Sequence, residues 1–249
     1  RPEFKELSTF EFQGLTGDPF VRGSQNIETA TINHFDFRWE YYFGDGSDSF
    51  SLGYFRKNID KPIELFSTSS GDTDRRTFGN SEDAFVSGYE IDIRLGFSFL
   101  KESWKDYYFA SNAAFIQSEV GDLVPSSLQS SSSVVSVTNK NHALTGQAPV
   151  VVNINIGYDN PESKRHYALL LNYVGERIVS LGANPAPDII QEPYTQLDAV
   201  YGQEMGKRYS LKIKAQNLLN QEVDQTFGGQ PYLSYKKGVT VSVGVGAKL

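Results

Sequence analysis

His34, His142 and His166 are the only histidines of this 249-residue chain, and cysteine is absent. Metal binding or acid–base chemistry needs such imidazoles beside one another or beside carboxylates. Only His34 and Asp36 stand at a suggestive spacing, because two residues apart on a strand is one face. A hydrolytic Asp/His pair is the enzyme chemistry open to them; a histidine hydrogen-bonded within a polar interior is the favoured reading. Asp45-Gly46-Ser47-Asp48 begins like a calcium loop but lacks the remaining ligands and the distal glutamate, so it is expected to be a turn. Gly228-Gly229 follows no strand-to-helix context and reads as loop punctuation. No catalytic residue, metal ligand or cofactor site is expected. What remains is binding: Phe227, Tyr232 and Tyr235 place three rings in one polar stretch, as anchors for a ligand or partner.

The elements that position these residues are strands. In His34-Phe35-Asp36-Phe37-Arg38-Trp39-Glu40-Tyr41-Tyr42-Phe43 every odd position is aromatic. Ile91, Ile93, Leu95, Phe97 and Phe99 likewise oppose Glu90, Asp92 and Arg94. The same period of two runs through Val152 to Asp159, His166 to Tyr173 and Val239 to Leu249. Weaker strands are expected over Lys5 to Gln13, Ser49 to Phe66, Tyr107 to Glu119, Tyr194 to Glu204 and Tyr209 to Asn220, making about ten in all. Segments of roughly ten residues with one apolar face are the length a tilted strand needs to cross a bilayer.

The connections alternate in length. Gly44 to Asp48, Leu100 to Lys105, Asn160 to Ser163 and Met205 to Arg208 are short and turn-like. Gly14 to Asn26, Ser67 to Asp83, Val120 to Pro149 (with the serine run Ser126 to Ser133), Ser180 to Pro193 and Gln221 to Lys236 are long and polar. Long loops on one rim and tight turns on the other is the arrangement of an outer-membrane barrel, with the long loops outside. A soluble antiparallel sandwich is the plainer alternative, but its strands average only about 5–6 residues and such aromatic faces would leave it aggregation-prone.

Composition agrees. A charged fraction of 21% is compatible with a membrane barrel, whose strands average lipid-facing with lumen-facing residues. The 17 Phe, 14 Tyr and 2 Trp suit the aromatic girdles that barrels place at both interfaces. No stretch approaches the roughly 18 apolar residues of a membrane helix. A net charge of -7 with scattered basic residues argues against nucleic acid as a partner. Nothing at the start has the form of a signal peptide, so a mature piece or a fragment is expected.

Several motifs, in order, resemble one family. Arg1-Pro2-Glu3-Phe4-Lys5-Glu6-Leu7 resembles the Arg-Pro-x-x-Arg-Glu-Leu of TonB-dependent receptors. Gly23-Ser24-Gln25-Asn26 and Asn33 to Glu40 are similar to their Gly-Asn-Pro-x-Leu and Asn-x-Asp-Leu-Arg-x-Glu. Leu144 to Pro149 resembles the start of a late strand, and Asn217-Leu218-Leu219-Asn220 the close of the penultimate one. The resemblance implies an all-β fold, a transmembrane antiparallel β-barrel, in which residues 1–249 supply about the last ten of twenty-two strands. It implies a bacterial outer-membrane receptor for TonB-energised uptake of a scarce, large ligand, with the plug domain, the TonB-contacting segment and the earlier strands outside this chain. The partners it implies are outer-membrane lipid, TonB, and an extracellular ligand or partner protein. The ligand class (siderophore, cobalamin, glycan or peptide) is left open.

Two departures stand out: Ser24-Gln25 replaces Asn-Pro, and Leu249 stands where many such barrels end in Phe. Leu249 keeps lipid-facing parity, so the chain is expected to end near the natural terminus. A passive porin or structural barrel of about ten strands is the competing reading, and an outer-membrane protease the third. The mixed charges Asp36, Arg38, Glu40, Glu90, Asp92 and Arg94 suit either a solvated wall or an interior filled by a polar plug. The long loops serve either recognition or shielding of the barrel mouth.

Overall fold

The computed structural model describes residues 2–13, 19–44, 47–68, 75–128, 136–206 and 208–247. One helical turn, α1 (Phe4–Leu7), precedes the strands. In chain order these are β1 (Glu11–Phe12), β2 (Phe20–Arg22), β3 (Thr31–Phe43), β4 (Asp48–Asp60), β5 (Ile63–Ser67), β6 (Arg75–Asn80), β7 (Asp83–Gly96) and β8 (Tyr107–Val120). They continue with β9 (Val150–Asn160), β10 (Arg165–Val174), β11 (Arg177–Ser180), β12 (Ile189–Gln191), β13 (Tyr194–Met205), β14 (Tyr209–Gln216), β15 (Glu222–Phe227), β16 (Gln230–Lys236) and β17 (Thr240–Ala247).

The long strands form one sheet in the order β3-β4-β7-β8-β9-β10-β13-β14-β17, every neighbouring pair antiparallel. Nine strands are thus paired in this wall among the described residues, against an expectation of about ten. The order follows the chain because each tight turn or outward excursion returns the chain beside the strand it left. No helix among the described residues is long and apolar enough to cross a membrane, so any crossing is made by strands.

Most differences from the expected elements lie on the long-connection rim. Lys5 to Gln13 is not one strand: α1 with its Glu3/Glu6 capping box takes its first half, leaving the two-residue β1. Ser49 to Phe66 is broken at Lys61-Pro62, where Lys61 has positive φ and proline has no N–H to donate to a ladder, and the chain turns from β4 into β5. Four stretches expected as polar loops contain strands instead. β2 lies within Gly14 to Asn26, β6 within Ser67 to Asp83, β12 within Ser180 to Pro193, and β15 with β16 fill Gln221 to Lys236. These short strands pair with one another in two four-stranded sheets, β1-β2-β6-β5 and β11-β12-β15-β16, which satisfy backbone groups that free loops would leave to water. On the other rim β7 ends at Gly96, so Phe97 and Phe99, expected on its apolar face, fall in a 3-10 turn, and a second one, Glu102–Trp104, lies within Leu100 to Lys105. Arg1, Asp45, Gly46, Lys207, Lys248, Leu249 and residues 14–18, 69–74 and 129–135 lie outside the described residues, and with them the calcium-like run's first half, most of the serine run and one residue of the expected turn Met205 to Arg208.

Two apolar clusters organise the long rim. Phe55, Ile59, Ala84, Val86 and Val120 cap the outer ends of β4, β7 and β8, and Leu144 packs on them. Phe66, Leu123, Leu128, Val137 and Leu181 join three long connections into one layer. The inner face of the wall is therefore apolar at this end, where rim segments fold over it, and polar below.

Candidate functional site: the polar wall and its mouth

Register aligns the polar residues into a continuous row. Glu40, Ser51, Asp92, Asn112, Asn153, Asn172 and Gln196 are successive cross-strand partners from β3 to β13. Asp92 is the hub. It accepts hydrogen bonds from Arg38 Nη1 (2.9 Å), Ser51 Oγ (2.9 Å) and Asn112 Nδ2 (2.6 Å), and Arg38 Nε also donates to Glu40. Asn172 donates to Asn153 at 2.7 Å, and Gln196 to both oxygens of Asp198. Side chains from six consecutive strands, β4 through β13, line a groove of about 430 Å³ on this face, as a sheet curved toward it requires.

The opposite face is apolar and exposed. Phe35, Phe37, Trp39 and Tyr41 are 50–60% exposed, on the side opposite Arg38 and Glu40, as the alternation predicts. Val241, Val243 and Val245 on β17 are exposed in the same way. Two aromatic rows bound this band. Phe37, Tyr54, Tyr89 and Phe115 align across the middle of β3, β4 and β7 and on the long-rim side of β8. Tyr107, Tyr158, Tyr167 and Tyr201 align near the short one, where Tyr158 and Tyr167 stack at 4.8 Å and Tyr167 donates to Tyr107 at 3.0 Å. An apolar belt between two rows of amphipathic rings matches lipid between two interfaces.

The motif residues act as fasteners at the mouth. Asn217, at positive φ just past β14, accepts from the Tyr194 hydroxyl, donates to the Gly238 carbonyl at 2.8 Å, and gives its N–H to Asp198. Ser24 Oγ donates to the Ser127 carbonyl (2.6 Å) and Asn26 Nδ2 to that of Leu128 (2.8 Å), so the Ser-Gln departure leaves this segment tied to the β8–β9 connection. A second groove, of about 370 Å³, lies at the mouth among Gln117, Ser118, Ala143, Gln147, Arg177 and Ile190.

Of the expected anchors, Phe227 and Tyr232 come together, ring centroids 6.4 Å apart, on the β15–β16 hairpin. Buried Arg76, brought by β6, lies over the Tyr232 ring at 6.0 Å and within 3.4 Å of its hydroxyl. Tyr235 stands apart from that pair, opposite Val223, and is 41% exposed. His34 Nε2 lies 2.9 Å from Asp36 Oδ2 on the exposed polar face, and His166 packs on Gly202. Among the described residues no group of three metal-ligating side chains converges. One constellation had no sequence signal: buried Glu64 lies beside buried His142, 3.7 Å between Oε2 and Nε2. Residues so far apart in the chain meet only because two long connections pack together.

A family model described as TonB dependent receptor-like, beta-barrel, matches residues 1–218. Among solved structures, the ferric enterobactin receptor of Pseudomonas aeruginosa is similar at a TM-score of 0.60 and 15% identity, covering 99% of this chain and 36% of the receptor. The copper transporter OprC is similar at 0.59 and 13%, over 89% of this chain and 32% of its own. The FrpB iron transporter of Neisseria meningitidis is similar at 0.55 and 14%, over 88% and 30%. The chain thus spans about one third of the length of the proteins it matches. Among curated protein sequences none matches it.

Proposed function

The chain belongs to the TonB-dependent receptor-like β-barrel family, and on that premise we propose that it forms the C-terminal wall and outer mouth of a transporter that takes up a scarce, large ligand with energy delivered through TonB. Family members reside in the bacterial outer membrane and are not enzymes. One observation carries the reading: a single sheet, polar on one face and apolar on the other, gathers every long connection on one rim. A polar face this wide serves a lumen, and long loops held by a rigid scaffold serve recognition. In this reading about ten strands of a twenty-two-stranded barrel lie here. The plug and the TonB-contacting segment belong to a part of the protein outside residues 1–249. The long rim faces outward, and Phe227, Tyr232 and Tyr235 meet the ligand there.

The test uses the full-length protein in cells, with labelled ferric siderophores, cobalamin, oligosaccharides and peptides as probes. Surface binding that persists while accumulation stops on uncoupling the membrane, or on deleting TonB, supports the proposal. Accumulation indifferent to both makes the protein a passive pore, and cleavage of a probe makes it a hydrolase.

A further inference from the structure

Glu64 on β5 and His142 in the β8–β9 connection are buried, their side chains 0% and 3% exposed. Glu64 Oε2 accepts from Ser81 Oγ (2.7 Å) and Oε1 from the Thr145 N–H (3.2 Å). His142 Nδ1 is 3.0 Å from the Ala143 carbonyl, a contact that needs the proton on Nδ1. Nε2 has no hydrogen-bond partner among the described residues and faces the carboxylate. In a neutral ring of that tautomer Nε2 is an acceptor, so two acceptors confront each other unless a proton lies between them.

We propose that one proton held jointly by Glu64 and His142 clasps residues 142–149 to β5, and that its loss loosens this side of the mouth groove. The proton serves equally on the carboxyl, as O–H toward Nε2, or on the ring, as an ion pair. The two forms hold the same number of protons. Burial pushes the Glu64 carboxyl above its usual range, with the charge of His142 and the bonds from Ser81 and Thr145 opposing. A raised value in the folded state means a contribution that is complete below the ordinary carboxylate range and disappears as pH rises through the folded value. Above it, a buried carboxylate faces a neutral ring. Other charges on the packed elements are engaged or exposed: Lys61 pairs with Glu28, Lys140 with Asp122 and Arg76 lies over Tyr232, while Glu82, Asp83 and Glu119 face solvent. The clasp matters to uptake because Ala143, Gln147 and Pro149 line the groove, and that consequence rests on the function proposed above.

Hydrogen exchange on the full-length protein in lipid vesicles tests the clasp without any ligand. Protection of residues 142–149, corrected for chemical exchange, is compared from about pH 4, within the ordinary carboxylate range, to about pH 8. The wild type is expected to lose about tenfold in protection per unit by which folding displaces the pair's acidity. Glu64→Gln keeps the shape and removes the carboxyl's titration, so its protection should stay level, and Glu64→Met should do the same if Glu64→Gln fails to insert. Level wild-type protection, or a slope unchanged in either variant, overturns the clasp. Failed uptake with a normal exchange profile overturns the transport reading alone.

Discussion

Tyr108 lies across Gly157, its partner on β9, on the polar face, where Arg94 stacks over it at 4.9 Å and Asn155 reaches its hydroxyl at 3.5 Å. A Cβ at Gly157 would come too close to the Tyr108 ring, so the glycine is the hollow that lets a large side chain lie on the wall. His166 over Gly202 and Phe55 over Gly88 repeat the device. Overpacking of this kind costs about 1–3 kcal/mol. Gly157→Val is expected to lower the urea midpoint for unfolding from lipid vesicles, and Tyr108→Ala in the same chain to restore most of it. A double variant no better than the single one contradicts the hollow.

At the scale of elements, β6 fastens the rim layer through Asn80, whose amide donates to the Lys61 and Glu28 carbonyls and accepts from the Glu28 N–H. Its own N–H goes to Ser127 Oγ at 2.8 Å. Asn80→Ala strands buried backbone groups at about 1–3 kcal/mol. The expected result is faster proteolysis near Glu28 and Ser127, the segments Asn80 holds, with insertion of the wall unchanged. The β15–β16 hairpin separates two roles. Tyr232, packed against Phe227 and Arg76, should cost both ligand affinity and rim stability when changed to alanine, whereas Tyr235→Ala should weaken binding alone. Binding to intact cells, measured beside surface display, distinguishes the two; unaltered affinity in both variants removes the hairpin from the ligand's path.

For the whole molecule, the two faces carry opposite solvation. Ile93 shares the outer face with Phe50 and Ile154, between the aromatic rows, while Arg94, the next residue, points inward to Tyr108. A charge on the lipid face near mid-membrane costs roughly 2–4 kcal/mol. Ile93→Arg is therefore expected to reduce insertion strongly and Arg94→Ala only slightly, judged by heat-modifiable mobility after folding into vesicles. Equal yields would reverse the assigned faces.

The wall was legible in the sequence because its cause is local: a residue's parity along a strand decides whether it meets lipid or lumen, and Phe35 to Tyr41 state that parity without reference to any partner. Tight turns were legible for the same reason. The rim was not. β2, β6, β12, β15 and β16 are short and without sustained alternation, and they become strands only because other connections supply pairing edges. The row from Glu40 to Gln196 likewise depends on register between strands, which alternation within each strand leaves open. Of the aromatic anchors, the sequence could place three rings in one stretch, but the pairing of Phe227 with Tyr232 under Arg76 depended on β6 reaching the hairpin. Glu64 and His142 mark the limit of sequence reading. Glu64 alone reads as a polar residue of a strand and His142 as one of a loop, and only the packing of two long connections removes both from water and sets acceptor against acceptor.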